Sequence, residues 1–392
     1  MPRLFPFLLS SLLLLAPAAN AQFAPSSVQS AVAPDPLNPI LAQMNRDFKR
    51  GFYDDIVRRA DELLDGTDEA APKSADPRLF YWRGLTFYQL AWYPEAVADL
   101  RRARAGGVQL MDGGFATEVI LDKIERLAPF VPPQEYAVQS GGQTVFRVHY
   151  VSDDAATKAA ISCLGPAYRA SSALFDADVL ATSVYVFDTY DQFAACFNAR
   201  VGHAPESWVA AVTIGNVLYI PLRNRKGEST PATDPDFFRS MVAHEFNHAM
   251  IRRLMGTAEL PKWFTEGMAD FAGGQVVPDD VAVNNYDIKR LFAANALVTP
   301  TQLEYPNTFG AHTGLGAKLG DAGAGIIAPS PYAQSYHMTR YLLSNMKRND
   351  LPDFLNLVRG SNSFSRAFAQ QFEATVPEFY QSWYNDTARR LR

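Results

Sequence analysis

The chain has 392 residues, of which 48% are apolar and 12% aromatic, a composition typical of a folded globular protein rather than a disordered one. This length is sufficient for two domains with separate cores. The net charge of -5 is spread along the chain without a long basic run, so nucleic acid is not an expected partner.

The first residues resemble a secretory signal peptide. Arg3 precedes an apolar run that extends to Leu15, and the small residues "ANA" end at Ala21. The run is short for a bilayer span, so residues 1–21 are predicted to be removed on export, with a retained membrane anchor as the alternative. We therefore expect a periplasmic or secreted protein without a membrane span after cleavage. Residues 22–36 are rich in Pro, Ser and Ala, which favours a flexible linker.

Residues 37–130 have a helical pattern that resembles tetratricopeptide repeats. Small residues at the repeat offsets let two antiparallel helices pack closely, and "LFYWRGLTFYQLAWYPEAVADLRRARAGG" carries the matching residues Gly84, Phe87, Ala96, Leu100 and Ala103. A generic helical hairpin is the alternative, because stable arrays usually need three or more repeats. In either case the segment is predicted to be a scaffold or a docking surface for a protein partner.

The Pro and Gly residues of segment 131–143, "VPPQEYAVQSGGQ", indicate a domain boundary, and residues 143–392 are expected to fold alone. Beyond this segment, "TVFRVHYV", "VLATSVYVF" and "WVAAVTIGNVLYIPL" have the composition of strands, with helical stretches between them. The pattern predicts an α+β fold in which a mixed β-sheet lobe precedes a helical C-terminal lobe. The Gly-rich stretch 310–325 lacks the ending of a phosphate loop and is predicted to be a loop beside the cleft.

Two cysteines, Cys163 and Cys196, suit an oxidising compartment in which a disulfide can persist. The sequence does not fix the distance between their Cα atoms, which decides whether a bridge can form. A disulfide and two buried free thiols are therefore both open.

The segment "VAHEFNHAM", residues 242–250, holds two histidines on a predicted helix. Asp234 is placed to cap the start of this helix, and Gly256 lies where its end is expected. Residues four positions apart on a helix share a face, so His244 and His248 are expected to bind one metal ion together.

Glu245 follows the first of these histidines, and in the pattern H-E-x-x-H this glutamate is the base that acts on metal-bound water. A second predicted helix, "LPKWFTEGMADFAGG", begins with Pro261, ends at a Gly pair, and places Glu266 and Asp270 on one face. Catalytic zinc keeps three protein ligands, and two histidines with a glutamate are a recognised set, so Glu266 is the candidate third ligand of one Zn²⁺. Asp270 is expected to accept the free ring N–H of a liganding histidine. An exposed acidic helix face is the alternative, although the apolar neighbours, such as Trp263, argue against it.

"HEFNH" followed by "PKWFTEGMAD" resembles the gluzincin metallopeptidases, and most closely their bacterial peptidase-MA-like branch with its "W-[LF]-x-E-G-x-A" helix. The resemblance covers residues 143–392 and implies a zincin-like domain that hydrolyses peptides or proteins. In related aminopeptidases a "P-Y-x-x-[GS]" segment supplies a tyrosine that donates to the oxyanion, and Tyr332 in "PYAQS" occupies the matching place. Tyr336 and His337 are the neighbouring candidates for this donor, and an aromatic anchor for the helix start is the structural alternative for Tyr332.

The sequence departs from the aminopeptidases at the strand "AVTIGNVLYIPL", which lacks the Gly-x-Met-Glu-Asn segment whose acidic residue holds a substrate's free amine. Strict aminopeptidase activity is therefore not expected, and the strand is predicted to pair with an extended peptide along its edge. The chemistry implied is hydrolysis by zinc-activated water with Glu245 as general base. The competing interpretation is an inactive zincin fold that binds protein partners through its helical repeats.

Overall fold

The computed structural model describes residues 35, 37–67, 73–205, 211–304, 331–347 and 350–391. The predicted signal peptide, most of the linker and the Gly-rich stretch at 310–325 lie outside these residues. The fold class is α+β, as expected, with 66% of the described residues in helices and a mixed five-stranded sheet. None of the described helices is both long enough and apolar enough to cross a membrane.

The described N-terminal part is helical, with α1 (Asn38–Arg50), α2 (Tyr53–Asp65), α3 (Pro77–Gln89), α4 (Tyr93–Ala105) and α5 (Thr117–Leu127). Gly84 on α3 allows close contact with α4, because a Cβ at this position would lie 2.9 Å from Cγ of Leu100. Ala96, Leu100 and Ala103 are fully buried in the same contact. The close packing of this hairpin is as predicted, whereas its membership of the tetratricopeptide class stays a prediction.

The sheet and the helices around it come next in the chain. They are β1 (Gln134–Ser140), β2 (Gln143–Tyr150), α6 (Ala155–Phe175), β3 (Thr182–Phe187), α7 (Tyr190–Val201), β4 (Val212–Ile214), β5 (Val217–Pro221), α8 (Thr230–Thr233) and α9 (Pro235–Met255). The C-terminal lobe is helical, with α10 (Lys262–Val276), α11 (Pro278–Ala293), α12 (Pro300–Leu303), α13 (Pro331–Ser344), α14 (Asp350–Ser361), α15 (Phe364–Phe372) and α16 (Val376–Leu391).

The strand order in the sheet is β1-β2-β3-β5-β4. The pairs β2–β3 and β3–β5 are parallel, while β1–β2 and β4–β5 are antiparallel. The stretch predicted as a single strand, "AVTIGNVLYIPL", is a hairpin of β4 and β5, because Gly215 in its turn adopts a φ of 62° that other residues rarely reach. The hairpin places β4 at an edge of the sheet.

The segment predicted as a domain boundary contains strand β1, so the sheet begins inside it. Alternate residues of β3 face opposite sides of the sheet: Val184 packs with α6 and α9, whereas Tyr185 packs with α7 and the N-terminal helices. Residues of α1–α5 thus share one hydrophobic cluster with the sheet. Because these helices cover an apolar face of the sheet, the packing argues against independent folding of residues 143–392.

The two cysteines are free thiols, and both are buried. Cys163 lies in the cluster on the α6 side of the sheet and Cys196 in the cluster on the α7 side, so the sheet separates them. Burial raises the pKa of both thiols, that of Cys196 to about 12. Of the two alternatives left open by the sequence, the structure has the buried free thiols.

Candidate metal centre

Helix α9 carries the H-E-x-x-H segment and has the ends that the sequence predicts. The Asp234 side chain accepts a hydrogen bond from the N–H of Phe237 at 3.1 Å and caps the first turn. Gly256 ends the helix with a φ of 59°. A Cβ at Gly256 would lie 1.9 Å from the carbonyl oxygen of Arg50, so contact with α1 as well as backbone conformation requires glycine here.

Helix α10 begins after Pro261, as predicted, but it does not end at the Gly pair. Gly273 lies within the helix, and a Cβ there would come within 2.7 Å of Oγ of Ser240 on α9. The glycine therefore serves close contact between α9 and α10 rather than helix termination. The start of α10 is held by Glu304, whose carboxylate accepts the N–H of Lys262 at 3.0 Å.

The two helices bring the three predicted ligands together in the interior. Nε2 of His244 lies 3.0 Å from Nε2 of His248, and these nitrogens lie 3.4 and 3.3 Å from Oε2 of Glu266. All three side chains are buried, and they form a group with metal-binding geometry within the described part of the chain. Zinc bonds of about 2.0–2.1 Å to tetrahedral ligands separate the ligand atoms by about 3.3–3.4 Å, so this donor set fits zinc.

Asp270, one turn beyond Glu266, lies next to the same cluster. Its Oδ1 is 2.8 Å from Nδ1 of His244. A hydrogen bond donated by Nδ1 fixes the ring and turns Nε2 towards His248 and Glu266, where it can bind a metal once it is deprotonated. This contact is the one that the sequence predicted for Asp270.

The cluster is strongly coupled electrostatically. Burial lowers the pKa of His244, but hydrogen bonds and charge from Asp270 and Glu266 outweigh burial and raise the pKa to about 10. Burial raises the pKa of Glu266, but the charges and hydrogen bonds of His248 and His244 outweigh it and hold the pKa well below its usual range. Glu266 is therefore a carboxylate at neutral pH, as a metal ligand must be.

Glu245 is buried beside these groups, with only 1% of its surface exposed. Neither of its carboxylate oxygens makes a hydrogen bond within the described part of the chain. Burial raises its pKa, although the neighbouring histidines oppose the increase. A buried carboxyl group without a partner is costly to folding, and a raised pKa suits proton transfer, so both properties make Glu245 a candidate functional group.

Gly267 follows Glu266 in the "E-G" pair and determines how closely α13 approaches. A Cβ at Gly267 would lie 2.2 Å from Oγ1 of Thr339 and 2.3 Å from the carbonyl oxygen of Ser335. Glycine at this position therefore lets α13 pack against α10 immediately beside the metal ligand. The first turn of α13 contains Tyr332.

Of the three candidate oxyanion donors, Tyr332 lies nearest to the metal ligands. The Tyr332 and His244 rings are 6.2 Å apart. Burial, followed by the charges of Glu266, Asp270 and Glu245, raises the pKa of Tyr332 well above its usual value, so its hydroxyl stays protonated. Tyr336 stacks on Phe271, whereas the contacts of His337 are with Tyr336 and the backbone of Asn284.

Burial lowers the pKa of His337 to about 4, assisted by the charge of Arg340, so this histidine is neutral at physiological pH. Two further histidines of the described residues lie elsewhere: His149 packs edge-on to Tyr185 in the sheet, and His203 is exposed after α7. Neither joins the metal-binding group.

A cleft of about 1330 Å³ opens beside His248. Its lining includes Thr213 of the edge strand β4, residues of α9 and Tyr380 on α16. Thr213 also donates its hydroxyl to the carbonyl oxygen of Glu245 at 2.7 Å, which ties the edge strand to α9. The sequence analysis did not identify Thr213, because the only available signal was its place in a short β-forming stretch.

No protein-family model matches the chain, and no curated protein matches its sequence significantly.

Proposed function

We propose that the protein is an exported zinc metallopeptidase that hydrolyses peptide bonds with Glu245 as general base. The observation that carries this proposal is the meeting of His244, His248 and Glu266 with donor atoms 3.0–3.4 Å apart, next to a buried glutamate whose carboxylate has no partner. A structural zinc site needs four protein ligands and no adjacent base, whereas three ligands beside a base suit hydrolysis.

The chemistry divides between the metal and the side chains around it. A zinc ion held by the two histidines and Glu266 would supply a Lewis acid and lower the pKa of a water molecule to about 7. Glu245 is the group that accepts the proton of the attacking water and passes it to the leaving nitrogen. Tyr332, protonated and close to His244, is the candidate hydrogen-bond donor to the oxyanion. Asp270 holds the His244 ring in orientation.

The cleft beside His248 supports a peptide or protein substrate. Its volume of about 1330 Å³ exceeds the range of about 300–1,000 Å³ that is usual for small-molecule pockets. Strand β4 lies at the sheet edge and contributes Thr213 to the lining of the cleft, so an extended peptide can add to this edge through backbone hydrogen bonds. Binding through the backbone requires no free amine, which agrees with an activity other than strict aminopeptidase.

Export and partner binding are further parts of the proposal. Periplasmic or secreted localisation rests on the signal-like residues 1–21. A protein partner on the helical repeats would have to use their outer surfaces, because another face of α1–α5 is already packed against the sheet.

The test is zinc-dependent cleavage of an unfolded protein by the purified chain, with Glu245→Gln as the matched control. Glu245→Gln is expected to retain one zinc per chain and to lose about 10²- to 10⁴-fold in kcat, the usual contribution of a general base. Glu266→Ala is expected to lose the zinc itself, as measured by elemental analysis. Equal zinc content in Glu266→Ala and the wild type would refute the ligand assignment. A wild-type protein that binds zinc and cleaves no peptide or protein would favour the inactive binding protein instead.

A further inference from the structure

Arg253 is a buried cation near the end of helix α9, shortly after His248. Its side chain has no exposed surface, and its hydrogen bonds all go to groups in the interior. Nε and Nη2 donate to Oδ1 of Asp54 at 3.0 and 2.5 Å, while Nη1 donates to the carbonyl oxygen of Leu180 at 2.6 Å and to Oγ1 of Thr182 at 3.1 Å. The second oxygen of Asp54 accepts the N–H of Leu180 at 3.0 Å.

This network joins three elements that are far apart in the sequence. Asp54 lies in the first turn of α2, Leu180 and Thr182 lie just before and at the start of β3, and Arg253 lies on α9. The α1–α2 hairpin also contacts the end of α9 through its backbone, where the N–H of Thr257 donates to the carbonyl oxygen of Arg50 at 2.7 Å. The hairpin therefore holds the C-terminal end of α9 at two places.

The position of α9 matters because this helix carries two of the three metal ligands. The third, Glu266, is on α10, which packs on α9 at Gly273 and is also held by α13 at Gly267 and by Glu304. A site of this kind tolerates displacements of only about 0.5 Å before its geometry is lost. A small shift or tilt of α9 would therefore separate the histidine nitrogens from the Glu266 carboxylate.

We propose that Arg253 is a positioning residue for the metal centre, and that the α1–α2 hairpin acts on the site through the ion pair of its Asp54 with Arg253. The inference rests on the metal site of the proposed function but not on peptidase activity. It gives the N-terminal helices a second role, because any partner that moves the hairpin away from α9 would also weaken metal binding.

The experiment uses the full chain with Asp54→Asn, which keeps the side-chain size and removes the charge. Cobalt(II) in place of zinc gives a visible spectrum that reports the coordination geometry. For the folded variant we expect an altered cobalt spectrum and a loss of about 2- to 30-fold in affinity for zinc and cobalt, the usual range for residues that couple to a site without touching it.

The matched control is Glu95→Gln, which breaks another ion pair between the helices and the sheet. Glu95 on α4 pairs with Arg147 on β2, and because the flanking Phe146 and Val148 face the α9 side of the sheet, Arg147 lies on the opposite side. Glu95→Gln is expected to leave the cobalt spectrum and metal affinity unchanged. A loss of equal size in this control would overturn the proposal, because it would show a general loosening of the interface.

Two further outcomes are decisive. Wild-type affinity and spectrum in folded Asp54→Asn would overturn the positioning role while leaving the metal site intact. Failure of the wild type to bind zinc or cobalt would refute the metal site itself. Should Asp54→Asn not fold, the double variant Asp54→Leu/Arg253→Met, which replaces the pair by apolar side chains, is judged by the same spectrum and affinity.

Discussion

Helix α9 carries two clusters of buried charge, and the chain satisfies them to different degrees. At Arg253 the guanidinium and both oxygens of Asp54 are engaged in hydrogen bonds within the interior. At Glu245 neither carboxylate oxygen has a described partner. A charge buried for structure needs a complete set of partners, whereas a charge buried for chemistry keeps capacity for a group that arrives later. The difference supports the proposal that the cluster around Glu245 is the reactive one.

The largest expected effect comes from a truncation that removes the partner of Arg253. A fragment starting at Val131 keeps β1 but lacks Asp54 and all of α1–α5. We expect it to be insoluble or to show no cooperative thermal unfolding, because an apolar face of the sheet is uncovered and Arg253 loses its partner, which alone costs about 3–5 kcal/mol. Circular dichroism with temperature is the measurement.

The control for this truncation is a chain that starts at residue 37 and so lacks only the segment before α1. It is expected to fold and to bind zinc like the full chain. A soluble Val131 fragment with a sharp unfolding transition and one bound zinc would show that the shared cluster is dispensable.

The next effect concerns the candidate oxyanion donor at the reactive cluster. Tyr332→Phe removes one hydroxyl and is expected to lower kcat by about 10²- to 10³-fold, while KM and zinc content change little. Tyr336→Phe is the matched control and is expected to be nearly silent, since its ring stacks on Phe271. A large loss of kcat in Tyr336→Phe or His337→Ala, with none in Tyr332→Phe, would transfer the role to the next turn of the helix.

A smaller effect is expected at the contact that orients the ligand. Asp270→Ala removes the acceptor of the His244 ring N–H and should weaken zinc binding by about 10- to 100-fold. Competition with a chelator of known affinity measures this loss. Unchanged affinity would mean that packing alone holds the His244 ring.

The smallest expected effect is the change in metal affinity for each unit of pH. The pKa of His244 is raised to about 10, so below this pH the metal-free site holds a proton on His244 that an entering metal must displace. Affinity should therefore fall as the pH falls, by about tenfold per unit for one displaced proton.

This dependence can be followed between about pH 6 and 8 through the dissociation constant and the protons released on binding. Asp270→Ala should flatten the dependence, because Asp270 contributes to the raised pKa. An affinity that is constant with pH would contradict a protonated His244 in the metal-free protein.

The amino-acid sequence by itself determined the features that depend on one helix at a time. The four-residue spacing of His244 and His248 fixes a common face because the helix repeat is about 3.6 residues, and Asp234 caps its own helix. The same local rule places Asp270 one turn after Glu266. Alternation of apolar residues also predicted most of the strands, although the positive φ of Gly215 divides the last predicted strand into two.

Only the tertiary structure decided which of these local features meet. Three contacts join separate elements: the approach of His248 to Glu266 at 3.3 Å, the hydrogen bond from Thr213 on β4 to the carbonyl oxygen of Glu245, and the ion pair of Asp54 with Arg253. The interior glycine Gly273 looked like a helix end, because the sequence does not show that another helix presses against it. Contacts of this kind depend on how whole elements pack, and packing follows from the shape of both partners rather than from the local pattern of either one.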